Sequence, residues 1–219
     1  LAETVPLRIE DTAAYGNFPG EHGHVRYGEG LHVGYRWFDA RRIEVSFPFG
    51  FGLSYTTFEY SDAVVTVGDE VVVSVTVTNT GDRDGTDVVQ VYVGLPGSAV
   101  VRAPRELKGF TKVHLAAGES RTATVTVRRA DLAYWDTRVD MWVVEGGTYT
   151  VEVGSSSRDI HARCSVDIVG DEVRAPLSME SSIGEVLANP DAAKLIVDAF
   201  ASITGPGAPA MDESVLKMA

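Results

Sequence analysis

Residues 70–81 read EVVVSVTVTNTG and alternate between valines and small polar side chains. Because successive side chains of a strand point to opposite faces, this period of two predicts a half-buried β-strand. The same alternation returns in DVVQVYVGL, SRTATVTVRR, GTYTVEVGSSS and HARCSVDIV, and turns such as NTGDRDGTD separate the segments. Several short strands of this kind predict an antiparallel β-sandwich over residues 56–169.

The two flanks of this block have a different pattern. Residues 1–55 are rich in Gly, Pro, His and aromatic residues and show little alternation. About fifty residues of this composition cannot bury a core of their own, so we expect them to pack against another part of the protein. In residues 170–219, Ser182 and Glu185 have the spacing of a capping box, and Asn189-Pro190 can begin a second helix. A helical C-terminal extension is therefore predicted.

The stretch 47–58, FPFGFGLSYTTF, places five aromatic residues, four of them before the first threonine, on a backbone with two glycines and one proline. It is too short and too glycine-rich to span a membrane. It also lacks a helical stripe, and alternation begins only near its end. The residues alone leave this aromatic surface without an assigned role.

Charge and cysteine content restrict the partners. The net charge is −12, and the sequence has no cluster of Lys and Arg of the kind that binds phosphate backbones, so we expect no nucleic acid partner. No apolar run reaches the length of a membrane helix, so a membrane partner is not expected either. The lone Cys164 cannot form an intrachain disulfide and lies in an alternating segment, which favours a structural thiol. A single cysteine is compatible with a cytoplasmic location.

The sequence lacks the standard catalytic motifs that would assign an activity. There is no Walker-type phosphate loop and no GxSxG elbow. His22 and His24, with Glu21 and Glu29 nearby, could contribute to a metal site, but no third ligand has a persuasive spacing, so we expect neither metal nor cofactor. Carboxylates of residues 1–55 could serve glycoside hydrolysis, but nothing in the pattern shows that two of them face one another. Residue chemistry alone leaves the activity unassigned.

Longer motifs carry more information. The segment 1–39, with YGEGLHVGYRWFD at its end, and the segment FPFGFGLSYTTFEYSD closely resemble the C-terminal region of glycoside hydrolase family 3 enzymes of the β-glucosidase type. APRELKGFTKVHLAAGES and GTYTVEVGSSSRDI resemble the fibronectin-type-III-like domain that follows in members with three domains. LSMESSIGEVLANPDA is similar to a short helical extension of the family. Several motifs in the family's order cover nearly the whole chain.

The resemblance implies a retaining glycosidase whose catalytic residues lie elsewhere. The family nucleophile is an Asp, typically in an SDW context, in an N-terminal barrel-like domain, and the acid/base Glu usually comes from the following α/β sandwich domain. No SDW occurs here, so no family catalytic residue can be placed in this chain, and we expect the chain alone to be inactive. Residues 1–55 would be the C-terminal remnant of the α/β sandwich domain with its linker. The chain would be the C-terminal piece of a longer enzyme, produced by nicking or truncation.

The expected partners are the N-terminal catalytic domains of the same enzyme and a β-glucoside or oligosaccharide substrate, and the sequence leaves a homo-oligomer open. Two alternatives stand beside this interpretation. One is an autonomous, non-catalytic β-sandwich module that binds carbohydrate or protein. The other is a β-xylosidase or arabinosidase specificity within the same family.

Two groups of residues are candidates for a role in the complete enzyme. His22, Tyr27 and Glu29 could approach the mouth of the sugar site, although Tyr27 could instead anchor the domain junction and Glu29 could pair with an arginine. The aromatic residues of the 47–58 stretch are expected to form a domain junction. They are Phe47, Phe49 and Phe51, which would pack into the edge of the α/β domain, and Tyr55, which would point toward the sandwich or the interface. Three basic residues of VRAPRELKGF are expected to bridge to a neighbouring domain, namely Arg102, Arg105 and Lys108.

Overall fold

The fold is described from a computed structural model, which describes residues 1–174 and 176–204. The chain divides into two compact units, one of residues 1–134 and 143–171 and one of residues 135–142 and 172–219. The predicted helical extension lies partly outside the described residues, because Ala175 and residues 205–219 are not among them.

The first unit contains the predicted sandwich. Its strands are β3 (Phe58–Val67), β4 (Glu70–Asn79), β5 (Gly85–Gly94), β6 (Glu106–Leu115), β7 (Ser120–Arg128), β10 (Gly147–Gly154) and β11 (Ile160–Ile168). They form a three-stranded sheet in the order β3-β4-β7 and a four-stranded sheet in the order β11-β10-β5-β6, with all strand pairs antiparallel. The prediction of a mainly β, antiparallel sandwich is confirmed.

The alternating segments place their valines between the two sheets. In β4, every second residue from Val71 to Val77 is buried, and the intervening hydroxyl side chains are only half-buried. Val73 pairs with Val125 of β7, and Val91 of β5 pairs with Val153 of β10, so valines from neighbouring strands share the inner face. Burial of this apolar surface is the main term that stabilises the sandwich.

Asn79, at the end of β4, is a buried polar residue that fastens the turn after it. Its side-chain amide donates to the carbonyls of Arg83 (2.8 Å) and Leu115 (3.1 Å). Its Oδ1 accepts from the Thr56 hydroxyl (2.7 Å) and from the Gly81 N–H (3.1 Å). All four bonds are made to a fully buried amide, so the NTG turn is held to the residues just before β3.

The N-terminal residues of the first unit form short elements: β1 (Val5–Pro6), a 3₁₀ turn (Ile9–Asp11), α1 (Tyr35–Arg41) and β2 (Val45–Phe47). β1 pairs with β2 in an antiparallel two-stranded sheet. The indole N–H of Trp37 donates to the Asp11 carbonyl at 2.9 Å and ties α1 to the 3₁₀ turn. Only Phe38 of α1 is fully buried, in keeping with the expectation that these residues have no core of their own.

The second unit has residues 135–142 of a β-hairpin and two helices. β8 (Tyr134–Asp136) and β9 (Met141–Val143) form the hairpin, and α2 (Ile183–Ala188) and α3 (Pro190–Thr204) follow. Ser182 and Glu185 make both bonds of the predicted capping box, and the Asn189 side chain accepts the N–H groups of Asp191 and Ala192 at the start of α3. No helix in the described part of the chain is long and apolar enough to cross a membrane.

Candidate functional site

Along β5 and β10, the four-stranded sheet is buried on its outer face as well as its inner face. From Val89 to Gly94, β5 shows no alternation of burial, because Gln90 and Tyr92 are as buried as the neighbouring valines. Residues 35–51 contact this outer face, and we call them the docked segment. The candidate site is built from the contacts between the docked segment and the sheet, all within the first unit.

Aromatic rings form one part of the contact. Tyr35 of α1 stacks on Phe49 with ring centroids 4.8 Å apart and meets the edge of Tyr92 at 5.9 Å. Its hydroxyl accepts a hydrogen bond from the Leu107 N–H at 2.8 Å, at a point where the β5–β6 register shifts. Pairs of aromatic rings in these arrangements add specific attraction to the area that they bury. Tyr35 therefore anchors α1 on the sheet.

Gln90 forms a second part of the contact. Its amide nitrogen donates to the carbonyls of Gly50 (3.2 Å) and Ser155, and its Oε1 accepts from the Tyr92 hydroxyl at 2.6 Å. Gly50 has a φ of +84°, and a Cβ atom there would lie 2.1 Å from Gln90 Oε1. Glycine is therefore required at position 50 both by its backbone conformation and by the approach of the amide.

A network of alternating charges completes the contact. Asp39 of α1 accepts from Arg158 Nε at 3.1 Å, and Arg105 Nε lies 3.1 Å from Glu152 Oε2 and 3.9 Å from Asp39 Oδ2. Glu152 also accepts from Arg163 Nε at 2.8 Å. The two carboxylates are deeply buried, with 10% and 6% of the Asp39 and Glu152 side chains exposed. Buried carboxylates require such partners, so the network fixes where α1 sits on the sheet.

The arginines also bond the backbone. Arg105 donates to the Ser157 carbonyl and Arg158 to the Ile43 carbonyl, each at 2.7 Å. Burial raises the pKa of the Asp39 carboxyl above its ordinary value, and the attraction of Arg105 and Arg158 opposes that rise. Burial likewise raises the pKa of the Tyr92 hydroxyl. The arrangement fastens the docked segment to the four-stranded sheet. We call the side chains of this contact the lock; they are Tyr35, Asp39, Gln90, Arg105, Glu152 and Arg158.

The predicted junction residues occupy different environments. Phe49 faces Tyr35 and the sheet, whereas Phe47 and Phe51 contact each other at 5.1 Å and are 41% and 37% exposed. Tyr55 is 91% exposed, and the following Phe58 packs against the core of the sandwich. Their assignment to a domain junction stays a prediction.

The predicted substrate-vicinity residues lie in the loop before α1. His22 has a left-handed backbone (φ 51°) and lines a hollow of about 770 Å³ that His24 and Arg26 also line. Tyr27 is 81% exposed, and Glu29 is half-buried with its Oε2 atom lacking a hydrogen-bond partner among the described residues. The hollow is lined by His22 but by neither Tyr27 nor Glu29. Their role near a sugar also stays a prediction.

Sequence reasoning missed most of the lock. Gln90 and Glu152 occur within alternating valine runs, at positions where alternation predicts solvent exposure. The available signal that the outer face is covered was a polar residue between two valines, as in Gln90 between Val89 and Val91. Arg105 does bridge, but its partners among the described residues include Asp39 and Glu152 of this chain. Among residues 1–174 and 176–204, no group of three or more His, Cys, Asp or Glu side chains is placed to hold a metal ion.

The comparisons with known proteins agree on one family. A family model for the fibronectin type III-like domain matches residues 87–157. An exo-α-(1→6)-L-arabinopyranosidase of Bifidobacterium breve is 48% identical over 199 residues, which are 90% of this chain and 26% of that protein. A β-glucosidase of Bifidobacterium adolescentis, described as a GH3 enzyme, has a solved structure that matches with a TM-score of 0.81 at 47% identity, covering 90% of this chain and 29% of that one. The chain is related to the β-glucosidases of glycoside hydrolase family 3.

A further family 3 relative has the same relationship to this chain. The thermostable β-glucosidase B of Acetivibrio thermocellus is 42% identical over 210 residues, which are 93% of this chain and 28% of that protein. The chain thus spans between a quarter and a third of the length of these relatives. The residues that match the fibronectin type III-like model lie within the sandwich, and the docked segment precedes them in the chain.

Proposed function

We propose that this chain is the C-terminal part of a retaining family 3 β-glycosidase that hydrolyses O-glycosidic bonds, with β-glucosides as its substrates. The observation that carries the proposal is the pattern of coverage. The alignments cover 90% of this chain but only 26–29% of the length of the related enzymes. Relatives named as β-glucosidases come from bacteria and fungi, so the substrate class is drawn from several lineages.

The role proposed for this part is to fasten the catalytic domains. The docked segment turns its polar groups and Tyr35 toward the sheet, while large apolar side chains in the N-terminal residues stay exposed. The most exposed are Ile9, Phe18, Tyr27, Leu53 and Tyr55, at 69%, 75%, 81%, 71% and 91%. A cluster of exposed aromatic and aliphatic side chains is typical of a surface that another domain covers. We infer that residues 1–55 complete an α/β domain, that residues 56–169 form the sandwich, and that residues 170–219 are an extension.

The proposed enzyme needs two carboxylates that this chain does not supply, because retaining glycosidases position a nucleophile and an acid/base about 5 Å apart. We therefore expect no turnover of a chromogenic β-glucoside by the purified chain. Mixing with the purified N-terminal fragment of the same enzyme should restore activity. Turnover by the chain alone would overturn the assignment of catalysis to the missing domains. Glycan binding without complementation would favour a free-standing binding module.

A second substrate class has its own support. The relative with 48% identity is named as an arabinopyranosidase rather than a glucosidase. The reconstituted enzyme should be assayed on aryl β-glucoside, β-xyloside and α-L-arabinopyranoside at equal concentration. We expect the β-glucoside to have the highest kcat/KM. A preference of more than tenfold for the arabinopyranoside would replace the glucosidase assignment with the arabinosidase one.

We also propose that His22, Tyr27 and Glu29 reach the sugar site of the complete enzyme. The half-buried Glu29 carboxylate with an unbonded oxygen supports this role, as does the exposed ring of Tyr27 beside it. In the reconstituted enzyme, Glu29→Ala should lower kcat/KM by about tenfold, the loss of one hydrogen bond to substrate. Glu10→Ala, in the 3₁₀ turn of the same region, is the matched control and should leave kcat/KM unchanged. An unchanged value for Glu29→Ala would make Glu29 structural.

A further inference from the structure

A groove of about 440 Å³ runs between the 47–58 stretch and the sandwich, within the first unit. Its walls come from three parts of the chain: the 47–58 stretch, the adjoining strands β3 and β5, and the turn between β10 and β11. The 47–58 stretch contributes Phe51 and Ser54, and the strands contribute Phe58 and Tyr60 of β3, Asp87 of β5 and His161 of β11. The turn contributes Ser155, Arg158 and Asp159. Two of these residues also have a role described above, because Arg158 binds Asp39 and Phe51 is a predicted junction residue.

One wall of the groove is a stacked pair of rings. Tyr60 of β3 and His161 of β11 lie parallel, with centroids 4.3 Å apart and planes 3° from parallel. The Tyr60 hydroxyl donates to Asp87 Oδ2 at 2.8 Å, and burial together with Asp87 raises the pKa of that hydroxyl. The ring pair is therefore fixed in place before any ligand arrives, which lowers the entropic cost of binding.

The polar groups of the groove are held in fixed orientations by their neighbours. His161 Nε2 lies 3.2 Å from Asp159 Oδ2, which also accepts from the Ser155 hydroxyl. Nδ1 of the neutral ring is then left as an acceptor. The Asp159 side chain is 64% exposed, so its carboxylate can accept further hydrogen bonds from a ligand. The groove thus presents donors and acceptors within reach of one another.

Aromatic side chains also line the groove. They are Phe51, which is 37% exposed, and Phe58 at the start of β3. Ser54 adds a hydroxyl to the lining. Sites of this kind combine aromatic walls with a few oriented polar groups, which suits a ligand with both apolar C–H faces and hydroxyl groups.

The charge of the groove restricts the ligand further. Asp87 and Asp159 supply two carboxylates, while the guanidinium of Arg158 is bonded to Asp39 and to the Ile43 carbonyl. This balance disfavours an anionic ligand, because the nearby cation is already paired. Two carboxylates, a histidine and serine hydroxyls equally disfavour a purely apolar ligand, since they would lose water without gaining partners.

We propose that this groove binds a short neutral saccharide, with a sugar ring against Phe51 and its hydroxyl groups bonded to Asp159 and His161. The proposal stands on the side chains of the groove and does not depend on the proposed function. An open groove with one aromatic contact and a few hydrogen bonds implies a Kd on the order of 1 mM.

The test is a nuclear magnetic resonance titration of this chain with glucose and cellobiose, read on the ring protons of its five histidines. The His161 signals, assigned with the His161→Phe variant, should shift and saturate. His114 of β6 lies outside the groove lining, and its ring is beside Thr86 of β5. Its signals should not move. Glycerol at equal concentration tests whether a ring sugar is required. Backbone amide shifts of the groove residues report binding in variants that lack His161.

Two near-isosteric variants make the outcome decisive. Asp159→Asn keeps the shape of the wall and changes the acceptor, and His161→Phe keeps the ring stack on Tyr60 while removing both nitrogens. Each should weaken sugar binding at least about fivefold, whereas His114→Phe should leave it unchanged. Shifts that do not saturate, that glycerol reproduces, or that both groove variants leave unchanged would overturn the proposal. Because no catalysis is measured, failure here and failure of glycosidase complementation are separate results.

Discussion

The four-stranded sheet has two buried faces that are built from different side chains. The inner face carries valines and Leu115 against the opposite sheet, with almost no polar atoms. The outer face carries Gln90, Tyr92 and Glu152, and the docked segment covers it with Tyr35, Asp39 and Gly50. Apolar packing tolerates neighbours of many shapes, whereas a buried amide or carboxylate accepts few partners. The inner face therefore supplies most of the stability, and the outer face specifies which segment binds there and in which position.

The largest effect should come from the inner face. Leu115 is fully buried, so Leu115→Ala removes packed methyl groups and leaves a cavity, which should lower the free energy of unfolding by about 4 kcal/mol. Denaturant unfolding followed by circular dichroism measures this change. Leu53→Ala, at a leucine that is 71% exposed, is the matched control and should change stability by less than about 0.5 kcal/mol. Similar losses for both variants would contradict the assignment of the core.

On the outer face, Arg105→Met should cost about 3 kcal/mol, because it leaves the Asp39 and Glu152 carboxylates short of a cation in a buried site. Arg121→Met, which breaks an exposed pair with Glu119, should cost less than about 1 kcal/mol. Both are measured by denaturant unfolding. The double variant Arg105→Met/Glu152→Gln should recover part of the loss, since it removes a charge together with its partner. Equal losses of unfolding free energy for the two single variants would show that the buried network stabilises the fold no more than an exposed ion pair does.

Gly50→Ala tests the position of the docked segment directly. A Cβ atom at residue 50 would collide with Gln90, and the φ of +84° disfavours alanine, so we expect a loss of about 2 kcal/mol. Hydrogen exchange of the amides of residues 45–51 should accelerate more than exchange in β4. Gly52→Ala, with open space around the added atom, should leave both quantities unchanged. If exchange accelerates equally throughout the sandwich, the docked segment is not a separate unit of stability.

The difference between the two faces also explains which parts of the structure were predictable. Alternation in EVVVSVTVTNTG depends on local periodicity, and it predicted the buried valines of β4 residue by residue. The capping box at Ser182 and Glu185 is equally local and was also predicted correctly. β6 was not recognised as a strand by pattern, because Gly109 and the 62% exposed Phe110 interrupt its alternation.

The outer face was not predictable for a physical reason. Asp39 meets Arg158 across 119 positions of sequence, and Gln90 meets Gly50 across 40, so no local period connects them. The resemblance of the first 39 residues to a family assigned them to the end of an α/β domain, and their contacts with the sandwich follow only from the tertiary fold. The saccharide groove has the same origin, because its Tyr60 and His161 come from strands that are distant in sequence.

The smallest expected effect is a difference in how stability depends on pH between a buried carboxylate, Asp39, and a more exposed one, Asp171. Burial raises the pKa of Asp39 above the ordinary value of 3.8, so its folded form holds the proton more tightly than its unfolded form, and its contribution to stability is lost as the pH rises through the folded pKa. Asp171 accepts from the Val144 N–H at 2.8 Å and from Arg129, and these bonds lower its pKa. Its contribution is present above the ordinary value and is lost as the pH falls.

Two substitutions should therefore respond to pH with opposite signs. Relative to the parent chain, Asp39→Asn should gain stability as the pH rises from 3.8 through the raised pKa of Asp39, because the parent alone must then bury an ionised carboxylate. Asp171→Asn should be less stable than the parent at neutral pH and should approach it as the pH falls below 3.8. Unfolding by denaturant at several pH values measures both differences. Parallel slopes for the two variants would mean that Arg105 and Arg158 outweigh burial at Asp39, and the outer face would then resemble an ordinary surface ion pair.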